Sequence, residues 1–118
     1  MRSCRQISVA ATMLLCLMAA AYGHAILVSA TPAVREVVKG PNVTVKLRFN
    51  ARVDAKRSNL RLFSSNGVER ALSILETSRA DYLNAEAKGL TGGSYVLRWQ
   101  VLAGDGHISR GEVPFQVQ

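Results

Sequence analysis

The sequence predicts an all-β domain, a Greek-key β-sandwich of about seven short strands. Two observations support this fold class. Between the turn signals, the segments of residues 24–118 are short and alternate in polarity, and no repeat, low-complexity tract or linker interrupts them. The chain therefore has room for one domain after its N-terminal segment.

The clearest strand is predicted over residues 43–49. Its apolar and polar residues alternate with a period of two, which places one set on the core side of a sheet. The core-facing set is Val43, Val45, Leu47 and Phe49.

Three weaker strands are predicted in the middle of the chain. Residues 60–62 repeat the alternation weakly, and the Asn66-Gly67 pair that follows favours a hairpin turn with positive φ. Residues 72–75 and 81–87 are two lesser candidates.

Two strands are predicted near the C-terminus. Residues 94–101 alternate strongly and fit a central strand, whereas residues 112–118 form the last strand. Pro114 fits best where the sheet needs no backbone donor. The expected aromatic core consists of Phe49, Phe63, Trp99 and Phe115.

Residues 1–23 are predicted to be a secretory signal peptide, which leaves residues 24–118 as the mature domain. Arg2 and Arg5 precede an apolar run over residues 7–20, and small residues fit cleavage before His24. The run is shorter than the roughly 20 residues that a membrane-spanning helix needs. Cleavage before Tyr22 also satisfies the small-residue rule. Both sites predict export, and we expect a monomeric domain without a membrane span after cleavage.

Removal of this segment also removes all sulfur from the chain. Both cysteines and all three methionines lie within residues 1–23. The mature domain therefore has no disulfide, thiolate zinc site or thioether site for Cu(I), and any metal must bind to nitrogen and oxygen.

The charge of the chain is basic, with a formal net charge of +7. Clustered cations in a cytosolic protein suggest nucleic-acid binding. Because export argues against a nucleic-acid partner, we interpret the basic residues of this chain as a solvated basic face.

The two histidines suggest a metal site. His24 is the first residue after the favoured cleavage site, where its α-amine and Nδ1 can chelate one ion. His107 lies in a glycine-rich connection, two residues after Asp105, and an extended backbone places both side chains on one side. The donors are an amine, two imidazoles and a carboxylate, and such a set favours Cu(II), one per chain.

The mature chain also resembles the CopC family of periplasmic copper-binding proteins over nearly all of its length. The motifs that carry the resemblance are His24-Ala25, Ser29-Ala30-Thr31-Pro32-Ala33, Leu47-Arg48-Phe49, the segment 92–101, Asp105-Gly106-His107, Gly111 and Phe115-Gln116-Val117. The resemblance implies a cupredoxin-like or immunoglobulin-like barrel. It also implies a Cu(II) site formed by His24, Asp105 and His107.

The implied function is Cu(II) binding in the periplasm for copper homeostasis or resistance, with sequestration or delivery to an inner-membrane importer of the CopD type. Some family members carry a methionine-rich Cu(I) site, and the absence of methionine from residues 24–118 predicts a Cu(II)-only member.

Two other functions stay open on the sequence, a histidine-brace copper monooxygenase and a metal-free structural β-sandwich. Asp105 in the coordination sphere argues against the enzyme because it leaves little room for oxygen. Oxidation of chitin or cellulose would identify the enzyme, and failure to bind copper would identify the structural protein.

Overall fold

Eight strands form the protein, as seen in a computed structural model that describes residues 24–118. The predicted signal peptide lies outside the described residues. In chain order the strands are β1 (Leu27–Thr31), β2 (Val37–Val38), β3 (Val43–Phe49), β4 (Val53–Ser64), β5 (Glu69–Leu72), β6 (Tyr82–Ala87), β7 (Gly93–Ala103) and β8 (Ile108–Val117).

The strands are arranged in two sheets. One sheet has three antiparallel strands in the order β1-β3-β6, and the other has five in the order β2-β8-β7-β4-β5. Of the strands in the described residues, β2 alone runs parallel to its neighbour, β8. The predicted all-β sandwich is confirmed, with β7 in the middle of the larger sheet as expected.

The core between the sheets follows the predicted alternation. The four predicted residues of β3 are buried, as are Tyr95, Leu97, Trp99 and Val101 of β7. The Phe49 and Trp99 rings meet edge to face with centroids 5.2 Å apart, which joins the two sheets. Each large apolar side chain that is fully buried in this way contributes about 1.5–3 kcal/mol to folding.

Two of the predictions for the middle of the chain are wrong. Phe63 is only half-buried, because Leu60 and Leu62 face the core and the period of two turns Phe63 outward, where the Arg98 guanidinium lies 4.4 Å from its ring centroid. The strand expected at residues 72–75 instead covers Glu69–Leu72, because it pairs with β4 directly after the turn at Gly67, where φ is 82°.

Pro114 occupies a position that needs no ladder donor, as predicted. Its carbonyl accepts a hydrogen bond from the backbone N–H of Arg35 at 2.6 Å, on the side of β8 away from β7. The nitrogen and carbonyl of a residue in a strand point to the same side, so the missing N–H does not interrupt the β7–β8 ladder. No helix in residues 24–118 is long and apolar enough to cross a membrane.

Gly111 makes room for the central tryptophan. It is the cross-strand partner of Trp99, and a Cβ at Gly111 would lie 2.3 Å from Cζ2 and 2.6 Å from Cε2 of the indole. The indole is held between Phe49 and the β8 backbone, so it has little freedom to move.

We therefore expect Gly111→Ala to destabilise the protein by about 1–3 kcal/mol through overpacking against Trp99. Gly104→Ala is the matched control, since its Cβ would have no neighbour closer than 3.9 Å. Urea unfolding of both variants measures the difference. Equal stability of the two variants would contradict the packing explanation.

Candidate metal centre

The N-terminal segment is fixed at one end of the sandwich by burial and by hydrogen bonds. Ala25 is 3% exposed and packs into the core. The N–H of Ile26 donates to Oδ1 of Asn50 at 2.8 Å, and the N–H of Asn50 donates to the carbonyl of Ile26 at 2.9 Å. His24, one residue earlier than Ala25, is therefore held at this end of the molecule while its side chain stays exposed.

The connection between β7 and β8 brings the other candidate ligands to the same end. It covers residues 104–107, and Gly106 has a φ of 90°, a conformation that favours glycine. The N–H of Gly106 donates to the carbonyl of Ala103 at 2.9 Å, and the N–H of Ala103 donates to the carbonyl of His107 at 2.8 Å. These bonds define a tight turn.

Asp105 and His107 are joined inside this turn by two hydrogen bonds. Oδ1 of Asp105 accepts the backbone N–H of His107 at 3.0 Å, and Oδ2 lies 3.0 Å from Nδ1 of His107. The two side chains therefore meet because the chain turns, and the expectation that an extended backbone aligns them is wrong. When Nδ1 donates its proton to the carboxylate, Nε2 of His107 is the nitrogen left to bind a metal.

The His24 and His107 rings lie next to each other. Their centroids are 5.3 Å apart and their planes are inclined by 64°. Because metal–imidazole bonds are about 2 Å long, one ion can bind to both rings across this gap. The structure thus brings together the only two histidines of the chain, which are 83 positions apart in sequence.

Asp105 is not turned toward a common centre with both rings. Within residues 24–118, no three His, Cys, Asp or Glu side chains converge to hold a metal ion. Both carboxylate oxygens of Asp105 are bonded to His107. The α-amine of His24 becomes available only after cleavage before this residue. The assignment of His24, Asp105 and His107 as ligands thus stays a prediction.

Other carboxylates at this end are engaged by arginines. Asp81 forms ion pairs with Arg48 at 3.6 Å and Arg79 at 3.2 Å, and Asp54 lies 3.9 Å from Arg57. Asp105 is the carboxylate that pairs with a histidine instead. The available donors at this end are nitrogen and oxygen atoms.

Hydrogen bonds keep Asp105 ionised. The backbone N–H of His107 lowers the pKa of Asp105 below its usual value, and the His107 side chain lowers it further. A carboxylate with a lowered pKa stays negatively charged over the neutral range and can balance the charge of a bound cation.

The sequence indicated the ligands but missed the residue that positions His24. Asn50 directly follows the predicted strand 43–49, and asparagine after a strand is a usual sign of a turn. Its bonds to Ile26 join segments 24 residues apart, and no local pattern predicts such a pairing.

The fold is a small β-sandwich with two adjacent histidine rings at one end. The family model described as the CopC domain matches residues 27–118. The chain therefore belongs to the CopC family, as the resemblance predicted. CopC proteins are not an enzyme family, which confirms the expectation of a non-enzymatic protein.

Solved structures agree with the family assignment. CopC from Methylosinus trichosporium OB3b is 33% identical, with a TM-score of 0.72 over 80% of this chain and 94% of that one. PcoC, a methionine-rich copper resistance protein from Escherichia coli, has the same fold at 20% identity, with a TM-score of 0.70 over 81% of this chain and 100% of that one. No curated protein matches the chain significantly.

The pKa of Asp105 tests the described geometry. The backbone hydrogen bond has the larger effect and survives in His107→Ala, so this substitution should raise the pKa of Asp105 only in part, leaving it below its usual value. NMR titration of the carboxyl carbons measures this in metal-free protein. Asp81, whose pKa is lowered chiefly by Arg79, should not change and serves as the control.

The same shift has a consequence for stability. Since the folded state lowers the pKa of Asp105, the ionised carboxylate stabilises the fold. This stabilisation is complete above the usual carboxyl pKa and is lost as the pH falls through the lowered value.

In the NMR titration, a full return of the Asp105 pKa to its usual value in His107→Ala would contradict the backbone hydrogen bond as the main cause of the lowered pKa.

Proposed function

We propose that this chain is an exported copper-binding protein that holds one Cu(II) ion per chain. The ligands in this proposal are the α-amine and imidazole of His24, the imidazole of His107 and the carboxylate of Asp105, after cleavage of residues 1–23. The single observation that carries the proposal is the pairing of the His24 and His107 rings at 5.3 Å.

The donor chemistry supports Cu(II) over Cu(I). PcoC is described as methionine-rich, whereas residues 24–118 of this chain contain neither methionine nor cysteine. Imidazole, amine and carboxylate donors suit Cu(II), which also binds more tightly than other divalent first-row ions to most such sites.

The biological role in this proposal is copper homeostasis or resistance in the periplasm. The exposed position of the site fits exchange of the ion with a partner, since the side chain of His107 is 60% exposed. The protein stores Cu(II) or delivers it to an inner-membrane importer of the CopD type, the partner that the family resemblance implies.

Ligand substitutions test the proposal in protein that begins at His24. His107→Ala removes a nitrogen ligand and should weaken Cu(II) binding by more than about 100-fold, more than the loss of a supporting residue usually does. Asp105→Asn keeps an oxygen donor but removes its charge, so we expect a smaller loss of about 10- to 100-fold. Competition titration against a Cu(II) chelator measures the affinity, and electron paramagnetic resonance reports the nitrogen ligands.

Asp54→Asn is the matched control, because it removes the same charge from an acidic side chain that pairs with Arg57. It should bind one Cu(II) with unchanged affinity. Wild-type affinity in His107→Ala would refute the proposed site, and a larger loss in Asp105→Asn than in His107→Ala would show that the ligands are ranked wrongly.

A further inference from the structure

The outer face of the five-stranded sheet has a groove of about 450 Å³ that the proposed copper site does not use. It lies over the neighbouring strands β4, β7 and β8, and most of its side chains face away from the core. Trp99 also lines it, although its indole packs into the core. The residues that line it are Asn59, Arg61, Arg98, Trp99, Gln100, Arg110, Gly111 and Glu112.

Two arginines in this groove form a like-charged pair. Arg61 of β4 and Arg98 of β7 are direct cross-strand partners. Like charges in this arrangement destabilise a sheet, so the pair opposes local stability. A destabilising pair of like charges of this kind is expected where a surface serves a function.

The nearby carboxylates lie on the outer sides of this pair. Glu69 of β5 accepts a hydrogen bond from Arg61, and Glu112 of β8 accepts one from Nε of Arg98 at 2.8 Å. Because β7 and β4 are adjacent between β8 and β5, the order across the sheet is Glu112, Arg98, Arg61, Glu69. Within residues 24–118, no carboxylate separates the two arginines.

A third arginine adds positive charge without a carboxylate partner. Nε of Arg110 donates to Oε1 of Gln100 at 2.7 Å. Among residues 24–118, the terminal nitrogens of Arg98 and Arg110 have no hydrogen-bond partner in the protein. Three guanidinium groups and the single carboxylate of Glu112 line the groove, which leaves it positively charged.

The Arg98 side chain is also held in place. Its guanidinium lies 4.4 Å from the Phe63 ring centroid while its Nε is bonded to Glu112. Stacking on an aromatic ring and a bond through Nε orient the planar group and leave its terminal N–H groups free. A guanidinium held in this way is suited to donate two parallel hydrogen bonds to an oxyanion.

We propose that this groove binds a small oxyanion ligand, a carboxylate or a phosphate, through Arg98, Arg110 and Arg61. The oxyanion accepts hydrogen bonds from the free terminal nitrogens and reduces the repulsion between Arg61 and Arg98. This site lies on a face of the sheet, apart from the His24 and His107 pair, and does not depend on copper.

NMR titration of the metal-free protein with citrate and, separately, with inorganic phosphate tests the proposal at constant ionic strength. We expect saturable shifts of amide signals in β4, β7 and β8 for at least one of the two anions. Tighter binding of citrate identifies a carboxylate ligand, and tighter binding of phosphate identifies a phosphate ligand; both results support the site.

Arg98→Gln and Arg110→Gln should each weaken this binding at least about tenfold, since each removes charge-assisted donors. Arg57→Gln is the matched control, because Arg57 is exposed, pairs with Asp54 and lies outside the groove, so this variant should bind as the wild type does. The absence of saturable binding for both anions would overturn the proposal. An equal loss in Arg57→Gln would also overturn it, because the binding would then follow net charge alone.

Discussion

The attachment of the N-terminal segment to the end of β3 holds His24 next to His107, and the proposed metal site depends on this arrangement. Two hydrogen bonds between Ile26 and Asn50, one of them accepted by the Asn50 side chain, together with the burial of Ala25, hold His24 beside the β7–β8 connection. Without them, residues 24–26 would lose this attachment, and the two imidazoles would meet only at an entropic cost. The position of His24 beside His107 therefore depends on contacts of Ala25, Ile26 and Asn50, and neither histidine takes part in these contacts.

The sandwich supplies the rigid support that this attachment needs. The described domain has no sulfur, so it depends on packing between the sheets, with the Phe49 and Trp99 rings at 5.2 Å and the Tyr95 and Phe115 rings at 5.8 Å. Phe49 directly precedes Asn50 and is almost fully buried. Packing of the core and placement of His24 are thus connected through two adjacent residues, Phe49 at the end of β3 and Asn50 directly after it.

Much of the fold could be predicted from local patterns, because a buried face imposes a period of two on each strand. This period identified β3 and the centre of β7. It could not identify β2, which has two residues and exists only through pairing with β8. It also could not place the start of β4, where register shifts occur between Asp54 and Asn59 and the polar residues follow no alternation.

The candidate site could likewise be predicted only in part, because some of its features follow from local sequence and others from contacts between distant residues. The residue types and the absence of sulfur predicted the donor chemistry, and the glycine at position 106 indicated a turn. The two hydrogen bonds between Asp105 and His107 depend on the dihedral angles of that turn, which the sequence does not specify. The proximity of His24 to His107 depends on the path of the whole chain, so the family resemblance predicted it and local spacing could not.

The proposed site depends most on His24 being the first residue of the mature protein. The most direct test compares the Cu(II) affinity of a chain that begins at His24 with that of a chain that begins at Gly23, by competition titration under identical conditions. One preceding residue converts the α-amine of His24 into a peptide nitrogen, so we expect a loss at least as large as the loss caused by removal of the His107 imidazole. Equal affinity of the two chains would show that the α-amine of His24 is not a ligand and would contradict the proposed site.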